Sequence, residues 1–282
     1  MLNKKLNFCL DHVSIATVHR DRPIDLCTQL GFVTADCYTD RTVHFIFDNA
    51  YFELCTYKDG GTATWLTQTI TTDNLPRVHS YRLSNRGTDP NTMRNALIAA
   101  GIEEIGEINK PFWQHVRYGE KEGEGGYQTF FISNYEPFTD ILFGVTTQLA
   151  KELIVKNDTK FKHLNGAKRI EYITAYEPTK ERFEQCEAAV TKLYNAAKDV
   201  TDAGYNIDTY QIVDEEGYKE EFGCEPPVNN LKAQIVAIGI SGIHFEFMKK
   251  RAYDANIVYF EKDGKLYLDT RRTLGMFIVC MK

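Results

Sequence analysis

The stretch that decides the fold is residues 10–18, LDHVSIATV, followed by a helical segment that ends at residues 30–32, LGF. Because side chains alternate between the two faces of a strand, His12 would lie on one face and its apolar neighbours on the other. A second strand, residues 51–57, YFELCTY, places Glu53 between two apolar residues in the same way. The pattern predicts a histidine and a glutamate on the same side of one sheet.

The order of elements around these two strands repeats along the chain. Residues 10–57 read as a strand, a helix and three strands, and residues 78–146 repeat this order. A charged stretch at residues 151–162 is typical of a linker, and a third copy with a shortened fourth is expected after it. Internal repetition of this kind indicates a fold assembled from equivalent units.

The C-terminal half is expected to begin with a strand at residues 169–176, followed by the longest helix of the chain at residues 179–198. Residues 244–249 are also expected to form a strand, in which Glu246 would match Glu53 by position. Because the first strand of this half has no histidine, we interpret the half mainly as structural or as completing a pocket.

The composition excludes several classes of function. Hydrophobic residues make up 43% of the 282-residue chain and charged residues 26%, which is typical of a soluble globular protein. The net charge of −6 argues against nucleic acid and anionic membranes as partners. Seven irregularly spaced cysteines without a Cys-x-x-Cys pair indicate neither a disulfide framework nor a thiolate zinc site. The expected location is therefore the reducing cytoplasm.

Superposition of the two N-terminal units by element order predicts a group of four metal ligands. His79 lies in the first strand of the second unit, where His12 lies in the first, and Asp140 falls where Glu53 falls. Two imidazoles and two carboxylates suit a divalent Mn, Fe, Ni, Co or Zn ion, with one or two positions open for water or substrate. Structural alternatives stay open, since His12 could be a hydrogen-bonded sheet residue and Asp140 could belong to a turn or cap.

Further polar residues could line the same sheet. His44 and Cys55 are candidates, although a structural role is the better interpretation of each. His115 and Arg117 share one face of an extended segment, which would suit an anionic group of a substrate. Residues 120–126 are expected to form a polar, glycine-rich loop, but no helix follows them, so they do not predict a phosphate site.

The sequence resembles the vicinal oxygen chelate superfamily, to which glyoxalase I belongs. The resemblance rests on residues 10–13, LDHV, on residues 30–32, LGF, and on residues 52–54, FEL. Residues 163–170, HLNGAKRI, are similar to the segment that joins the two halves in the glyoxalase-like domain branch. The resemblance implies an α+β fold in which paired βαβββ modules form cup-shaped mixed sheets, arranged as two tandem halves.

The resemblance also implies a division of the chain and a set of site residues. Residues 1–150 would be the N-terminal half with two βαβββ units and the site, residues 151–165 a linker, and residues 166–282 a half with one full and one shortened unit. In the superfamily the metal ligands lie on the first and last strands of each unit. In this chain the ligands would be His12, Glu53, His79 and Asp140, although the usual fourth ligand is a glutamate.

Two functions are compatible with these features. The first is a metal-dependent enzyme, such as an isomerase, lyase or dioxygenase, that acts on a small oxygenated metabolite polarised by the metal. Glu53 or Asp140 could detach from the metal and serve as the base, while His115, Arg117 and Cys55 would contact the substrate. The alternative is a non-catalytic protein that binds or sequesters a small molecule in the same cup. A sheet edge or an apolar patch could also support a homodimer.

Overall fold

In a computed structural model of the chain, two seven-stranded sheets and six helices lie within the residues that the structure describes. These residues are 4–8, 10–19, 21–35, 42–56, 75–85, 89–118, 121–133, 135, 141–149, 162–198, 208–227 and 234–282. Across these ranges, no helix combines the length and the apolar character that crossing a membrane requires.

The elements alternate between strands and helices in a way that shows the repeated units. In chain order the strands are β1 (Lys4–Phe8), β2 (Leu10–Thr17), β3 (Thr42–Ile46), β4 (Tyr51–Thr56), β5 (Arg77–Ser84), β6 (Phe112–Tyr118), β7 (Lys121–Phe131), β8 (Leu142–Leu149), β9 (Arg169–Tyr176), β10 (Asp208–Val213), β11 (Gln234–Ser241), β12 (Tyr259–Lys262), β13 (Lys265–Leu268) and β14 (Phe277–Cys280). The helices are α1 (Asp21–Gln29), α2 (Pro90–Ala99), α3 (Lys180–Lys198), α4 (Glu215–Phe222), α5 (Phe245–Asp254) and α6 (Arg271–Leu274).

The first sheet, called the N sheet, has the strand order β3-β4-β2-β5-β8-β7-β6. Its two central strands, β2 and β5, are the first strands of the two units and pair antiparallel, while β4 is parallel to β2 and β8 is parallel to β5. This arrangement confirms the α+β fold of paired units. Between α1 and β3, the described residues contain only an isolated bridge from Ala35 to His44 instead of the expected strand.

The expected glycine-rich loop at residues 120–126 is wrong for the described part of that segment, since β7 begins at Lys121 and pairs with β6 over residues 121–127. Gly126 explains in part why a segment rich in glycine forms a strand here. A Cβ atom at Gly126 would lie 2.8 Å from the ring of Trp113, so the ring can lie across the backbone of the neighbouring strand only above a glycine. Glycine marks a close approach here instead of a chain reversal.

The second sheet, called the C sheet, has the strand order β1-β10-β9-β11-β14-β13-β12. Its last unit, β11-α5-β12-β13-β14, is complete, whereas the third unit contributes β9 and β10 within the described residues. In the part of the chain that the structure describes, the unit with more strands is therefore the last one, although the sequence suggested the first of this half. Strand β1 from the start of the chain pairs antiparallel with β10 and supplies the missing edge. The domain boundaries proposed from the sequence stay a prediction.

The expected strand at residues 244–249 is wrong, because these residues begin helix α5. The buried residues Phe245, Met248 and Ala252 follow one another at intervals of three and four, which is the spacing of a helix face and not of a strand. Glu246 consequently does not match Glu53. Its side chain is 87% exposed and forms an ion pair with Lys249.

The main hydrophobic core joins the apolar faces of both sheets with the helices. In the N sheet, Val13 and Ile15 of β2 face the core together with Leu26 of α1. The rings of Tyr81 on β5 and Tyr210 on β10 meet edge to face, with centroids 5.8 Å apart. From residue 12 onward the core takes the odd-numbered side chains of β2, so the even-numbered ones lie on the opposite face of the N sheet, whereas Leu10, before the register shift, is also in the core.

The segment before β9 is held against the N-terminal half by buried polar groups. The His163 ring accepts a hydrogen bond from the Val33 N–H at 2.9 Å through Nδ1 and donates from Nε2 to the Ile46 carbonyl at 3.0 Å. The Asn49 side chain donates to the Ile170 carbonyl at 2.7 Å and accepts from the Ile170 N–H at 3.0 Å. These contacts meet the hydrogen-bonding needs of groups that are costly to bury unpaired.

Candidate functional site

The face of the N sheet that points away from the core carries polar side chains, most of them buried, and is called the polar face. The strand register places Glu53 beside Ser14, and Ser14 beside Ser80 on its other side. One step along the sheet, His12 lies beside Arg82. The side chains at the centre of the polar face are His12, Ser14, His44, Glu53, His79, Ser80 and Arg82.

Glu53 is the negative centre of the polar face, and both of its carboxylate oxygens are occupied. Oε2 accepts a hydrogen bond from Ser14 Oγ at 2.6 Å, and Oε1 accepts one from His44 Nε2 at 3.2 Å. Burial by itself would raise the pKa of Glu53, but the hydrogen bond and charge of His44, the charge of His12 and the Ser14 hydroxyl hold that pKa well below its ordinary value. The carboxylate is ionised at neutral pH and is a weak base.

His12 is oriented by a neighbouring carboxylate. Its Nδ1 donates to Asp11 Oδ2 at 2.7 Å, and the same oxygen accepts from Gln148 Nε2 at 3.1 Å. The ring also stacks on Tyr51, with centroids 4.7 Å apart. Because Nδ1 is engaged, Nε2 is the nitrogen that can meet a ligand. Asp11 reaches this position through a β-bulge, where the register shifts between Leu10 and His12.

His79 lies on a second β-bulge, between the pairs Ser14–Ser80 and Ile15–Val78. It is 2% exposed, and its Nδ1 has no hydrogen-bond partner among the described residues. Burial lowers the pKa of His79 to about 3, against the opposing effect of the Glu53 charge. The imidazole is therefore neutral at physiological pH, with a buried nitrogen that lacks a partner within the described structure.

Arg82 is the buried cation of the polar face and is 5% exposed. Its guanidinium lies over the Phe131 ring, 4.3 Å from the centroid. On the neighbouring strand, a Cβ atom at Gly144 would clash with the Phe130 carbonyl oxygen and come within 2.8 Å of Arg82 Nη1, so the glycine leaves room for both the β7 backbone and the guanidinium. Burial lowers the pKa of Arg82 to about 10, which leaves the side chain charged at neutral pH. Nη1 has no hydrogen-bond partner in the described part of the chain.

Three of the four ligands expected from the sequence, His12, Glu53 and His79, share the polar face, and Asp140 lies outside the described residues. Cys55 follows Glu53 on the same strand face and is half-buried, and burial together with the Glu53 charge raises the pKa of its thiol well above the ordinary value. This raised pKa makes the thiol a poor nucleophile. The roles assigned to these residues stay predictions.

His115 and Arg117 lie on β6, the edge strand of the N sheet, and four strands separate β6 from the strand that carries Glu53. Their side chains are outside the described part of the structure, so their expected substrate contacts stay a prediction. The residues that sequence reasoning missed are Arg82, Asp11 and Gln148. A signal for Arg82 was present, since a charged residue there stands between two apolar ones, Tyr81 and Leu83.

The described residues do not fit a complete metal centre. Among them, no three His, Cys, Asp or Glu side chains are placed to share one metal ion. The Glu53 oxygens already accept hydrogen bonds from Ser14 and His44. The Arg82 cation is close enough to lower the pKa of His79, and the Glu53 charge acts in turn to raise the pKa of Arg82. A divalent ion at this position would meet like charge and an occupied carboxylate.

Comparison with known proteins gives similarity at the level of the fold. No protein-family model matches the sequence, and no curated protein matches it. The solved structure of the Mn(II)-bound glyoxalase from Novosphingobium aromaticivorans is 12% identical, with a TM-score of 0.56 over 98% of this chain and 82% of that chain. A catechol 2,3-dioxygenase is 9% identical, with a TM-score of 0.54 over 98% of this chain and 93% of that chain.

A third similar structure is a fusion protein of a xylose isomerase-like TIM barrel and a 4-hydroxyphenylpyruvate dioxygenase. It is 12% identical, with a TM-score of 0.54 over 98% of this chain, and the chain spans about half, 49%, of its length. At such low identities these similarities show the fold and not the reaction. The paired βαβββ units, the two tandem sheets and these structures together show that the chain has the fold of the vicinal oxygen chelate superfamily.

Proposed function

We propose that the chain is a glyoxalase-like small-molecule-binding protein, and that the polar face of the N sheet holds a small oxygenated molecule. The observation that carries this proposal is a pair of buried polar atoms, Arg82 Nη1 and His79 Nδ1, that have no partner among the described residues. Buried polar groups in native proteins are nearly always hydrogen-bonded, so an unmet pair on one face points to a missing partner. A ligand with oxygen acceptors and donors would supply it.

The chemistry around these two atoms favours a polar ligand of small size. Arg82 offers N–H donors, the neutral His79 offers a nitrogen that accepts or donates according to its tautomer, and His12 presents Nε2. The rings of Tyr51 and Phe131 stand beside these groups and provide apolar surface. Binding sites for small molecules typically combine apolar walls with a few such polar groups.

A thermal-shift screen of small carboxylates, diols and α-hydroxycarbonyl compounds tests this proposal. A ligand present at 100 times its Kd stabilises the folded state by about 2.7 kcal/mol, which raises the Tm measurably. We expect compounds that stabilise the wild type and the control Glu246→Gln, but not His79→Phe or Arg82→Gln. Equal stabilisation of all four proteins by every active compound would place the ligand elsewhere and contradict the proposal.

A metal-dependent enzyme of the isomerase, lyase or dioxygenase type is the second candidate. It is favoured by the Asp11–His12 hydrogen bond, because histidines that bind metals usually donate their other nitrogen to a carboxylate or carbonyl. A bound metal would supply Lewis-acid chemistry, and His12 and Glu53 would be the residues that hold it. This candidate depends on a further ligand beyond the described set, such as Asp140.

Elemental analysis of protein purified without an affinity tag tests the second candidate. The variants His12→Ala and Glu53→Ala serve beside the wild type, with Glu246→Ala as a control on the protein surface. About one Mn, Fe, Ni, Co or Zn ion per chain, lost only in the first two variants, would support a metal-dependent enzyme. A metal content near zero after reconstitution with each ion would contradict it and leave direct binding.

A further inference from the structure

Resting on the proposed function, we infer that the polar face recognises a small monocarboxylate, whose carboxylate group binds the Arg82 guanidinium directly and without a metal ion between them. The inference starts from an imbalance of charge. Arg82 is buried, and within the described structure it forms no ion pair with a carboxylate. A buried charge without a partner is costly, and a ligand carboxylate would remove that cost.

Glu53 is the carboxylate with the strongest charge effect on Arg82, but it is already hydrogen-bonded to other donors. Its two oxygens accept hydrogen bonds from Ser14 and His44, so it acts on Arg82 through charge at a distance. Asp11 is committed in the same way, to His12 and Gln148. The described carboxylates that influence the guanidinium therefore do not use the N–H donors of Arg82.

The guanidinium packs on an aromatic ring. Its Cζ lies over the Phe131 ring, 4.3 Å from the centroid, a contact that uses none of the N–H donors along the edges of the guanidinium. The glycine at position 144 provides the space that the Nη1 end occupies. A carboxylate can accept two parallel hydrogen bonds from such an edge, which adds geometric selectivity to the charge.

The other half of the molecule shows that this receptor is not a general property of the fold. Arg82 pairs with Gly144 in the N sheet, and the equivalent pair in the C sheet is Gly239 with Val279. In the N sheet the glycine of this pair is on β8 and the larger residue on β5, whereas in the C sheet the glycine is on β11, the equivalent of β5, and the larger residue is on β14. In the C sheet the ring of Tyr172 fills the space above Gly239, and the cation there, Lys265, lies over that ring, with Nζ 5.2 Å from the centroid.

An NMR titration with benzoate, and with benzamide as its neutral isostere, tests this inference. The backbone amide of Gly144 and the Nε–H of Arg82 report binding at the site. We expect benzoate but not benzamide to shift both signals. The variant Arg82→Gln should weaken benzoate binding at least about tenfold, because a charge-assisted bidentate pair is lost. Arg82→Lys should weaken it less, because lysine keeps the charge without the planar fork.

Matched variants separate recognition from folding. Gly144→Ala keeps the charge but crowds both the guanidinium and the Phe130 carbonyl oxygen, and we expect it to weaken benzoate binding and to lower the Tm. Arg22→Gln, an exposed arginine on α1, should bind benzoate like the wild type. Circular dichroism and the Tm establish that each variant is folded. Should Arg82→Gln fail to fold, Arg82→Lys carries the test alone, and unchanged affinity in that variant would contradict the bidentate pair.

The remaining outcomes distinguish this inference from the proposed function. Benzoate binding that persists in Arg82→Gln but is lost in His79→Phe would overturn the inference and support the polar face as a site. No response to benzoate, acetate or other monocarboxylates, with diols still active in the thermal-shift screen, would have the same meaning. Addition of Mn²⁺ alone should leave the Gly144 signal unbroadened, and strong broadening at one equivalent would support a metal instead.

Discussion

The N sheet and the C sheet share one framework down to their irregularities. Each has a central antiparallel pair with two β-bulges, and the bulges occupy equivalent registers. On the first strand of each pair, the extra residue is Asp11 in the N sheet and Glu171 in the C sheet. On the second strand it is His79 in the N sheet and Val236 in the C sheet. The backbone repeat is therefore conserved between the halves where their side chains are not.

The two sheets differ in what fills the face that points away from the main core. Equivalent registers place Gln211 where the N sheet has Glu53, and Tyr172 where it has His12. Helix α4 covers this face of the C sheet and completes a second hydrophobic cluster. The rings in that cluster are Tyr172, Tyr176, Tyr218, Phe222, Tyr267 and Phe277. One framework thus supports a polar face in one half and a packed core in the other.

Truncation of a ring in the C sheet should have the largest effect on stability. Phe222 of α4 is 2% exposed and stacks on Phe277, with centroids 4.6 Å apart. We expect Phe222→Ala to lower the free energy of unfolding by about 3–5 kcal/mol, as measured by urea denaturation. Ligand binding at the polar face should persist in the folded fraction. A loss below about 1 kcal/mol would mean that this face is not a core.

Acidification should weaken the attachment of the segment that joins the halves. Burial lowers the pKa of His163 to about 4, whereas the unfolded chain has a histidine pKa of about 6.5. The unfolded state therefore binds a proton between these values and the folded state does not, so stability is complete above about pH 6.5 and falls as the pH decreases towards about 4.

The expected contribution of His163 over that interval is about 3 kcal/mol. The variant His163→Gln should lose this part of the pH dependence, and urea denaturation between pH 7 and pH 4 measures the difference in slope. Because burial also lowers the pKa of His79 to about 3, part of the slope should remain in the variant. Identical slopes in the variant and the wild type would contradict the assignment to His163.

Removal of a donor to Glu53 should have an intermediate effect. Ser14→Ala deletes the hydroxyl that donates to Glu53 Oε2 at 2.6 Å. Loss of a hydrogen bond to a charged group costs about 1.5–3 kcal/mol, and the pKa of Glu53 should rise because one interaction that favours its ionised form is gone. NMR titration of the carboxyl carbon measures the pKa, and an unchanged value would show that Ser14 does not stabilise the carboxylate.

The smallest effect is expected at Glu246. Its ion pair with Lys249 is on the surface, so Glu246→Gln should change the free energy of unfolding by less than about 0.5 kcal/mol. Ligand binding should also be unchanged. A clear loss of ligand binding in Glu246→Gln would mean that Glu246 is equivalent to Glu53 after all, which its position on helix α5 contradicts.

The fold and part of the site were predictable because β4 and residues 12–16 of β2 alternate regularly. That alternation identifies Glu53 and His12 on one face, and the pairing of the two strands confirms it. The bulges at Asp11 and His79 could not be predicted, since a bulge changes which face a residue takes without changing the sequence pattern. The orientation of Arg82 depends on Gly144, which lies on a strand distant in sequence.

Errors in the C-terminal half have a similar cause. Residues 244–249 contain alternating aromatic residues that suggest a strand, but tertiary packing buries residues at helical spacing. Helix α4 was not expected at all, although Asp214 at its N-cap and Gly223 after its end are ordinary helix boundaries. These elements depend on contacts between units and not on the local pattern.

Strand β1 ties the beginning of the chain to its second half. Lys4 pairs with Ile212, so the edge of the C sheet is built from a segment that precedes the entire N sheet. A fragment that starts after the linker would leave one side of β10 without its backbone partners, and such edges promote aggregation. During synthesis β1 leaves the ribosome before β10 does, and the two strands can pair only after β10 has followed. The two halves are therefore expected to fold and unfold together in fragment, permutation and refolding studies, because a strand from the start of the chain completes the sheet of the second half.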